Sequence, residues 1–135
     1  MIATYLTDYF PAGNPDTQNP ELLRLSQNPD ARVRMRVAEN EKTPEAILLA
    51  LAVDKDPEVR AAVCDNPNAP ARALEMLAAD QSEYVRYQMA ENPHIGESWL
   101  SRLLDDDNPY VAHRAAKTLL AIQAVLSFAP IISVA

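Results

Sequence analysis

The chain has 135 residues, of which 48% are hydrophobic and 23% charged, a balance typical of one globular domain. Its formal net charge of −7 opposes binding to a phosphate backbone, so no nucleic-acid partner is expected. The single Cys64 excludes an intrachain disulfide, and residues 1–8 lack the basic and apolar regions of a signal peptide, so a cytoplasmic location is expected.

Residues 1–13 carry apolar side chains at helical spacing and then meet Pro11 and Gly13. This pattern predicts a short N-terminal capping helix whose apolar side covers the element that follows. Residues 14–28 match the second half of the repeated unit described next. The repeats are therefore expected to begin half a unit in, and to occupy residues 14–114.

Five columns of residues recur along the chain at a spacing of 26 residues. They hold Val33, Val59, Val85 and Val111; Arg34, Arg60 and Arg86; Asn14, Asn40, Asn66 and Asn92; Leu22, Leu48, Leu74 and Leu100; and Leu25, Leu51, Leu77 and Leu103. Such a period is typical of a solenoid, in which each unit buries its apolar face against its neighbours. The chain is therefore predicted to be an all-α solenoid of about four two-helix units.

The first helix of each unit is predicted to begin after a residue whose side-chain oxygen can cap it. These residues are Asp30, Asp56, Ser82 and Asn108. The core valines follow, and the asparagine column is expected to end the helix. Because about two turns are marginal for an α-helix, partly 3₁₀ geometry is the anticipated alternative for these short helices.

The second helix is predicted to begin near Pro44, Pro70 and Gly96 and to present both leucine columns to the core. It is followed by an aspartate column, Asp54, Asp80 and Asp106. A carboxylate is unfavourable at the negative end of a helix dipole. We therefore expect each of these aspartates to accept a hydrogen bond from the first turn of the next unit.

Residues 115–135 leave the repeat pattern and form a mostly apolar C-terminal cap. The 17 residues from Leu119 include Gln123 and Pro130 and reach only the lower limit of a bilayer span, about 17–25 residues, so no membrane segment is expected. Either Pro130 turns the tail back over the stack, or a second copy covers the surface in a homodimer. The residues expected at that dimer interface are Leu119, Ile122, Leu126, Phe128 and Ile131.

The unit that begins Asp-Pro-Glu-Val-Arg-Ala-Ala-Val-Cys-Asp-Asn-Pro at Asp56 resembles the leucine-rich repeat variant, a bacterial repeat. The resemblance extends over roughly residues 14–120. It implies a right-handed superhelix that pairs an α-helix with a 3₁₀-helix and acts as an interaction scaffold. The Asp-x-x-Val-Arg element at Asp30–Arg34 also resembles HEAT-like arrays. The iron–sulfur cluster associated with the founding member is not expected here, because a cluster needs several thiolates and the chain has only Cys64.

No cluster in the sequence predicts catalysis, a metal or another cofactor. Cys64 shares its column with three alanines, which favours a small buried side chain. His94 and His113 stand in different units without further ligands at metal-binding spacing. The arginine column could bind an anion, but its regular recurrence favours pairing with backbone carbonyls or with the aspartate column.

Functional differences between repeats are expected on their exposed faces, where aromatic residues collect in the last two units. Tyrosine and arginine are enriched at interface hot spots. The candidate partner-binding residues are Tyr84, Tyr87, Tyr110, His113 and Arg114. The alternative is that these tyrosines only cover the surface of a thin solenoid.

These patterns favour a non-catalytic protein–protein interaction scaffold rather than an enzyme. One alternative is a HEAT-like accessory protein that binds a small molecule, which needs a pocket lined by convergent polar groups. A less favoured alternative is a nucleic-acid-binding HEAT-like protein. That function needs a contiguous basic face, which only Arg32, Arg34 and Arg36 could seed.

Overall fold

A computed structural model describes the backbone of residues 2–134 and the side chains of residues 5–128. Every regular element in this part of the chain is an α-helix, which confirms the all-α class. The helices are α1 (Ile2–Gly13), α2 (Asn19–Ser26), α3 (Ala31–Glu39), α4 (Glu45–Leu51), α5 (Pro57–Asp65), α6 (Ala71–Ala78), α7 (Glu83–Glu91), α8 (Glu97–Leu103) and α9 (Pro109–Val134).

The helices stack in two layers. Helices α1, α3, α5, α7 and α9 pack in order in one layer, and α2, α4, α6 and α8 pack in order in the other. Within the described backbone, each helix contacts only the two helices before it and the two after it. Contacts limited to neighbouring units are the defining property of a solenoid, as predicted from the period.

The first helices begin at the predicted positions, and three of the four predicted caps form. The side chains of Asp30, Asp56 and Asn108 accept hydrogen bonds from the backbone amides two residues on, at 2.8–2.9 Å. The side chain of Ser82 makes no such bond. Its own amide donates instead to the Asp80 carboxylate at 2.8 Å, so the preceding turn fixes the start of α7.

The anticipated 3₁₀ geometry is wrong for the described residues, since the nine-residue first helices α3, α5 and α7 are all α-helical. The first turn of α5 already has the α-helical bond, from the amide of Arg60 to the carbonyl of Asp56 at 3.2 Å. Packing on both sides compensates for the small number of turns, because most helical stability in proteins comes from tertiary contacts.

The core lies between the two layers and is built from the predicted columns. Its valines and leucines are buried in every unit: Val33, Val59, Val85 and Val111; Leu22, Leu48, Leu74 and Leu100; Leu25, Leu51, Leu77 and Leu103. Trp99, beside the last leucine column, is half-buried against this core. The register assigned from the sequence is therefore the register of the fold.

Both ends of the stack are helical. Helix α1 packs on α3 as the later helices of its layer pack on one another. Helix α9 runs without interruption across residue 115 and on through Pro130 to Val134. Of the two alternatives for the tail, a reversal of the chain at Pro130 is therefore wrong, since a proline can remove one helical hydrogen bond without turning the chain back.

No helix in the described part of the chain is both long and apolar enough to cross a membrane.

Candidate partner-binding surface

The arginines of the repeated column make structural contacts between repeats. Arg34 forms a two-bond ion pair with Asp54, from Nε to Oδ2 at 2.8 Å and from Nη2 to Oδ1 at 3.0 Å. Its Nη1 donates to the carbonyl oxygen of Asn28 at 2.8 Å. The pairs Arg60–Asp80 and Arg86–Asp106 repeat this geometry, with Nη1 donating to the carbonyls of Asp54 and Asp80. Each guanidinium therefore joins two successive turns between repeats.

The aspartates of these pairs also make the predicted contact with the next unit. Oδ1 of Asp54 accepts from the amide of Asp56 at 2.9 Å, just before α5. Burial opposes ionisation of Asp54, but the bonds from Arg34 prevail and lower the pKa of its carboxyl group. The same bonds raise the pKa of Arg34. The predicted pairing of the arginine and aspartate columns is confirmed, and no free guanidinium of this column remains for an anion.

The Arg–Asp pairs form one ladder of bonds between units, and the asparagine column forms a second ladder. Nδ2 of Asn66 donates to the carbonyls of Ala38 and Asn40 in the preceding unit, at 2.7 and 2.9 Å. Asn40 and Asn92 make equivalent bonds to carbonyls of their preceding units. These side chains end the first helices and also link each unit to the one before it.

The sequence-based prediction missed the last member of this ladder. Thr118 lies 26 residues after Asn92. Its hydroxyl donates to the carbonyl of Ala90 at 2.7 Å, the bond that an asparagine amide makes in earlier units. The column spacing was a signal that could have found it. Because a threonine replaces the asparagine and no proline follows, the helix continues where earlier units stop.

The outer surface of the odd-numbered helices differs from unit to unit, and three of the five candidate residues meet there. Tyr84, Tyr87 and Tyr110 line one cleft of about 270 Å³ between α7 and α9. Glu83, Asn108 and Val111 complete its lining. Tyr110 is 76% exposed and Tyr84 is 44% exposed, while Tyr87 is half-buried against the core. The last two units thus present an open aromatic cleft.

The other two candidates do not line this cleft. His113 is exposed one turn further along α9. Arg114 is half-buried, and its Nε is buried without a hydrogen-bond partner in the described part of the chain. The cleft lies at the N-terminal ends of α7 and α9, so its lining ends at Val111, before these residues.

One carboxylate, Glu83, lines the cleft, and others act on the Tyr84 hydroxyl. Burial, together with the charges of Glu58 and Asp65, raises the pKa of the Tyr84 hydroxyl. Partial burial of the Asp65 carboxyl group, together with Glu39 and Glu91, raises the pKa of Asp65. Among the described residues, Glu58, Asp65 and Glu91 make no ion pair. The aromatic cleft therefore lies in a negative electrostatic potential.

At the other end of the same layer, tyrosine rings are covered by arginines. The guanidinium carbon of Arg32 lies 3.8 Å from the centroid of the Tyr5 ring, and that of Arg36 lies 5.1 Å from the Tyr9 ring. Sequence reasoning missed both contacts because α1 was treated only as a cap. In the described part of the chain, no cation covers Tyr84, Tyr87 or Tyr110 in this way.

Other candidate chemistry has a structural explanation or no geometric support. Cys64 is buried, and burial raises the pKa of its thiol to about 12, which makes it unreactive at neutral pH. No group of three or more potential metal ligands occurs among the described residues.

The candidate dimer residues divide between the stack and the surface. Leu119 is buried and Ile122 is half-buried. Leu126 is 56% exposed and Phe128 is 64% exposed. Ile131 lies outside the residues whose side chains the structure describes. Among the described candidates for the dimer interface, only Leu126 and Phe128 are thus exposed.

Comparison with known proteins agrees with the repeat assignment. The family model for the leucine rich repeat variant matches residues 57–82, which confirms the resemblance over α5, α6 and the turn that follows. The register columns extend the same pattern to the units on either side. Neither the curated proteins nor the solved structures give a significant match. The chain is a helical repeat protein, and one of its units matches the model of this family.

Proposed function

We propose that this chain is a non-catalytic, cytoplasmic scaffold that binds another protein through the outer surface of α7 and α9. The observation that carries this proposal is the cleft formed by Tyr84, Tyr87 and Tyr110. The residues of the ladders recur from unit to unit, whereas the residues at these outer positions differ between units. Exposed tyrosines around a concave site supply contact area and hydrogen bonds at little entropic cost, which suits a protein interface.

The charge distribution favours a protein partner over nucleic acid. The three arginines that could seed a basic face are already paired with carboxylates: Arg32 with Asp30, Arg34 with Asp54 and Arg36 with Glu39. A phosphate backbone would have to displace those partners at a surface of net negative charge.

The small-molecule alternative is less well supported. The cleft of about 390 Å³ between the last two units is lined by Arg86 and Asp106, and these side chains are already bonded to each other. A ligand site needs polar groups that converge on the ligand. Arg86 and Asp106 instead hold the repeats together.

Photocrosslinking tests the proposed surface. A benzophenone amino acid placed at position 110 of the full chain should capture one discrete protein in host cells, whereas the same group at exposed position 72 on α6 should not. The captured protein, once purified, should bind the Tyr84→Ala variant at least about fivefold more weakly than the wild type, as expected at a hot spot. Equal capture at both positions, or equal affinity of both chains, contradicts the proposal.

We also propose that a second copy of the chain covers the C-terminal part of α9. Every side chain from Gln123 to Phe128 is exposed, and the sequence has no charged residue after Lys117. Two copies can therefore pair this apolar segment about a twofold axis without opposing like charges. A helix that is apolar on all sides is normally buried.

Sedimentation tests this homodimer. At about 50 micromolar, a concentration at which weak dimers are populated, the full chain should sediment as a dimer. A chain ending at Gln123, and a full-length Leu126→Lys variant, should sediment as monomers. A monomeric full chain at that concentration shows that the segment does not self-associate.

A further inference from the structure

We infer that the cleft between α7 and α9 binds an arginine or lysine side chain from a basic segment of the partner protein. This inference rests on the proposed function and specifies the chemistry of the partner. Three observations support it: the shape of the cleft, the unpaired carboxylates beside it, and an internal contact of the same type at the other end of the molecule.

The cleft offers aromatic surface with an acidic edge. Tyr84 and Tyr110 contribute exposed rings, and the half-buried Tyr87 and buried Val111 contribute to an apolar floor. The Glu83 carboxylate lies at the edge and accepts a hydrogen bond from the side-chain amide of Asn108. A long cationic side chain is suited to such a site, because its methylene stem packs on apolar surface while its charged end meets ring faces and carboxylates.

The neighbouring carboxylates form no ion pair with any cation in the described part of the chain. Glu58 and Asp65 on α5 lie within electrostatic reach of the Tyr84 hydroxyl, as does Glu91 on α7. Asp65 and Glu91 are the last residues of their helices, where the helix dipole disfavours negative charge. The basic groups of α9, which are His113, Arg114 and Lys117, do not line the cleft. A bound cation would relieve the repulsion among these carboxylates.

The molecule already contains the proposed contact. At the α1–α3 interface, Arg32 covers the Tyr5 ring and Arg36 covers the Tyr9 ring. Three units of 26 residues further on, the equivalent positions hold Tyr110 for Arg32, Glu83 for Tyr5, Tyr87 for Tyr9 and Arg114 for Arg36. The position of the Arg32 guanidinium at the α1–α3 interface is thus taken by a tyrosine at the α7–α9 interface, and Arg114 does not line the cleft. A cation in this cleft therefore has to come from the partner.

Peptide binding to the full chain tests this assignment. The probes are fluorescein-labelled peptides of alternating glycine and arginine, with a matched set in which neutral citrulline replaces arginine. The arginine peptide should bind at least about tenfold more tightly, and added salt should weaken its binding. Tyr110→Ala should weaken its binding by about two- to fivefold, whereas Tyr110→Phe, which keeps the ring face, should not.

Matched carboxylate variants separate the cleft from general attraction to an acidic protein. Glu58 and Glu45 are both exposed residues in the first turn of a helix, but of the two only Glu58 acts on the Tyr84 hydroxyl. Glu58→Gln should weaken binding of the arginine peptide, and Glu45→Gln should leave it unchanged. Equal effects of the two variants, or equal binding of the arginine and citrulline peptides, overturns the inference.

The tests of the inference and of the proposed function can fail independently. If the arginine peptide, added before irradiation, does not reduce capture of the protein at position 110, the interaction surface stands and the cationic occupant is wrong. If the arginine peptide binds the cleft as predicted but no protein is captured there, the cation site stands and the scaffold function is wrong.

Discussion

Each guanidinium of the arginine column is buried between two turns, so one substitution leaves a carboxylate without its cation. In Arg60→Ala, Asp80 would lose both bonds to the guanidinium while its side chain is only 8% exposed. Breaking a buried ion pair in this way should lower the free energy of unfolding by about 3–5 kcal/mol. Urea denaturation measures the loss. Arg72→Ala, at an exposed position of α6, is the control and should change stability by less than about 0.5 kcal/mol.

The carboxylate of Asp65 is expected to have the opposite effect on stability. Its folded-state pKa is raised by partial burial and by Glu39 and Glu91, so ionisation destabilises the folded protein. The cost is absent well below the ordinary value of 3.8 and grows as the pH rises through the folded-state pKa. Asp65→Asn should therefore raise the melting temperature at pH 7, and this gain should disappear as the pH falls below 3.8. A gain that persists at low pH would indicate a packing effect instead.

At the scale of the helix, the hydroxyl of Thr118 continues the asparagine ladder into α9. It donates to the carbonyl of Ala90 at a buried position. Thr118→Val keeps the shape of the side chain but leaves this carbonyl unpaired, so the free energy of unfolding should fall by about 1–3 kcal/mol. Ser26→Ala removes an exposed hydroxyl-to-carbonyl bond and serves as the control in the same denaturation experiment. Equal stability of the Thr118→Val variant and the wild type would show that the ladder ends at Asn92.

The repeat spacing predicted the helices and the core because both depend on residues that recur. Val59 and Leu74, for example, are buried for the same reason as their counterparts in the other units. The spacing did not predict features in which one residue type replaces another, such as Thr118 in the asparagine column. It placed the three tyrosines on one surface but could not show that the cleft ends before His113. That limit depends on where α7 and α9 approach each other, which no single column encodes.

At the scale of the whole molecule, both ladders connect only adjacent units. The arginines bridge successive turns, and the asparagines reach back by one repeat. A solenoid of this kind has a stability that is approximately the sum of its units and the interfaces between neighbours. A complete unit can therefore be removed in register without removing the partners that the remaining units need.

Deletion of residues 57–82 tests this property directly. The deletion joins Asp56 to Glu83, so Asp56 takes the position of Ser82 before α7. Arg86 keeps its ion pair with Asp106, and its Nη1 meets the carbonyl of Asp54 in place of that of Asp80. The shortened chain should fold with undiminished helicity per residue and a lower melting temperature, because one unit and one interface are lost. Deletion of residues 57–78 removes a similar length out of register and should leave the chain largely unfolded by circular dichroism. Similar folding of both deletions would show that the columns do not set the register of the stack.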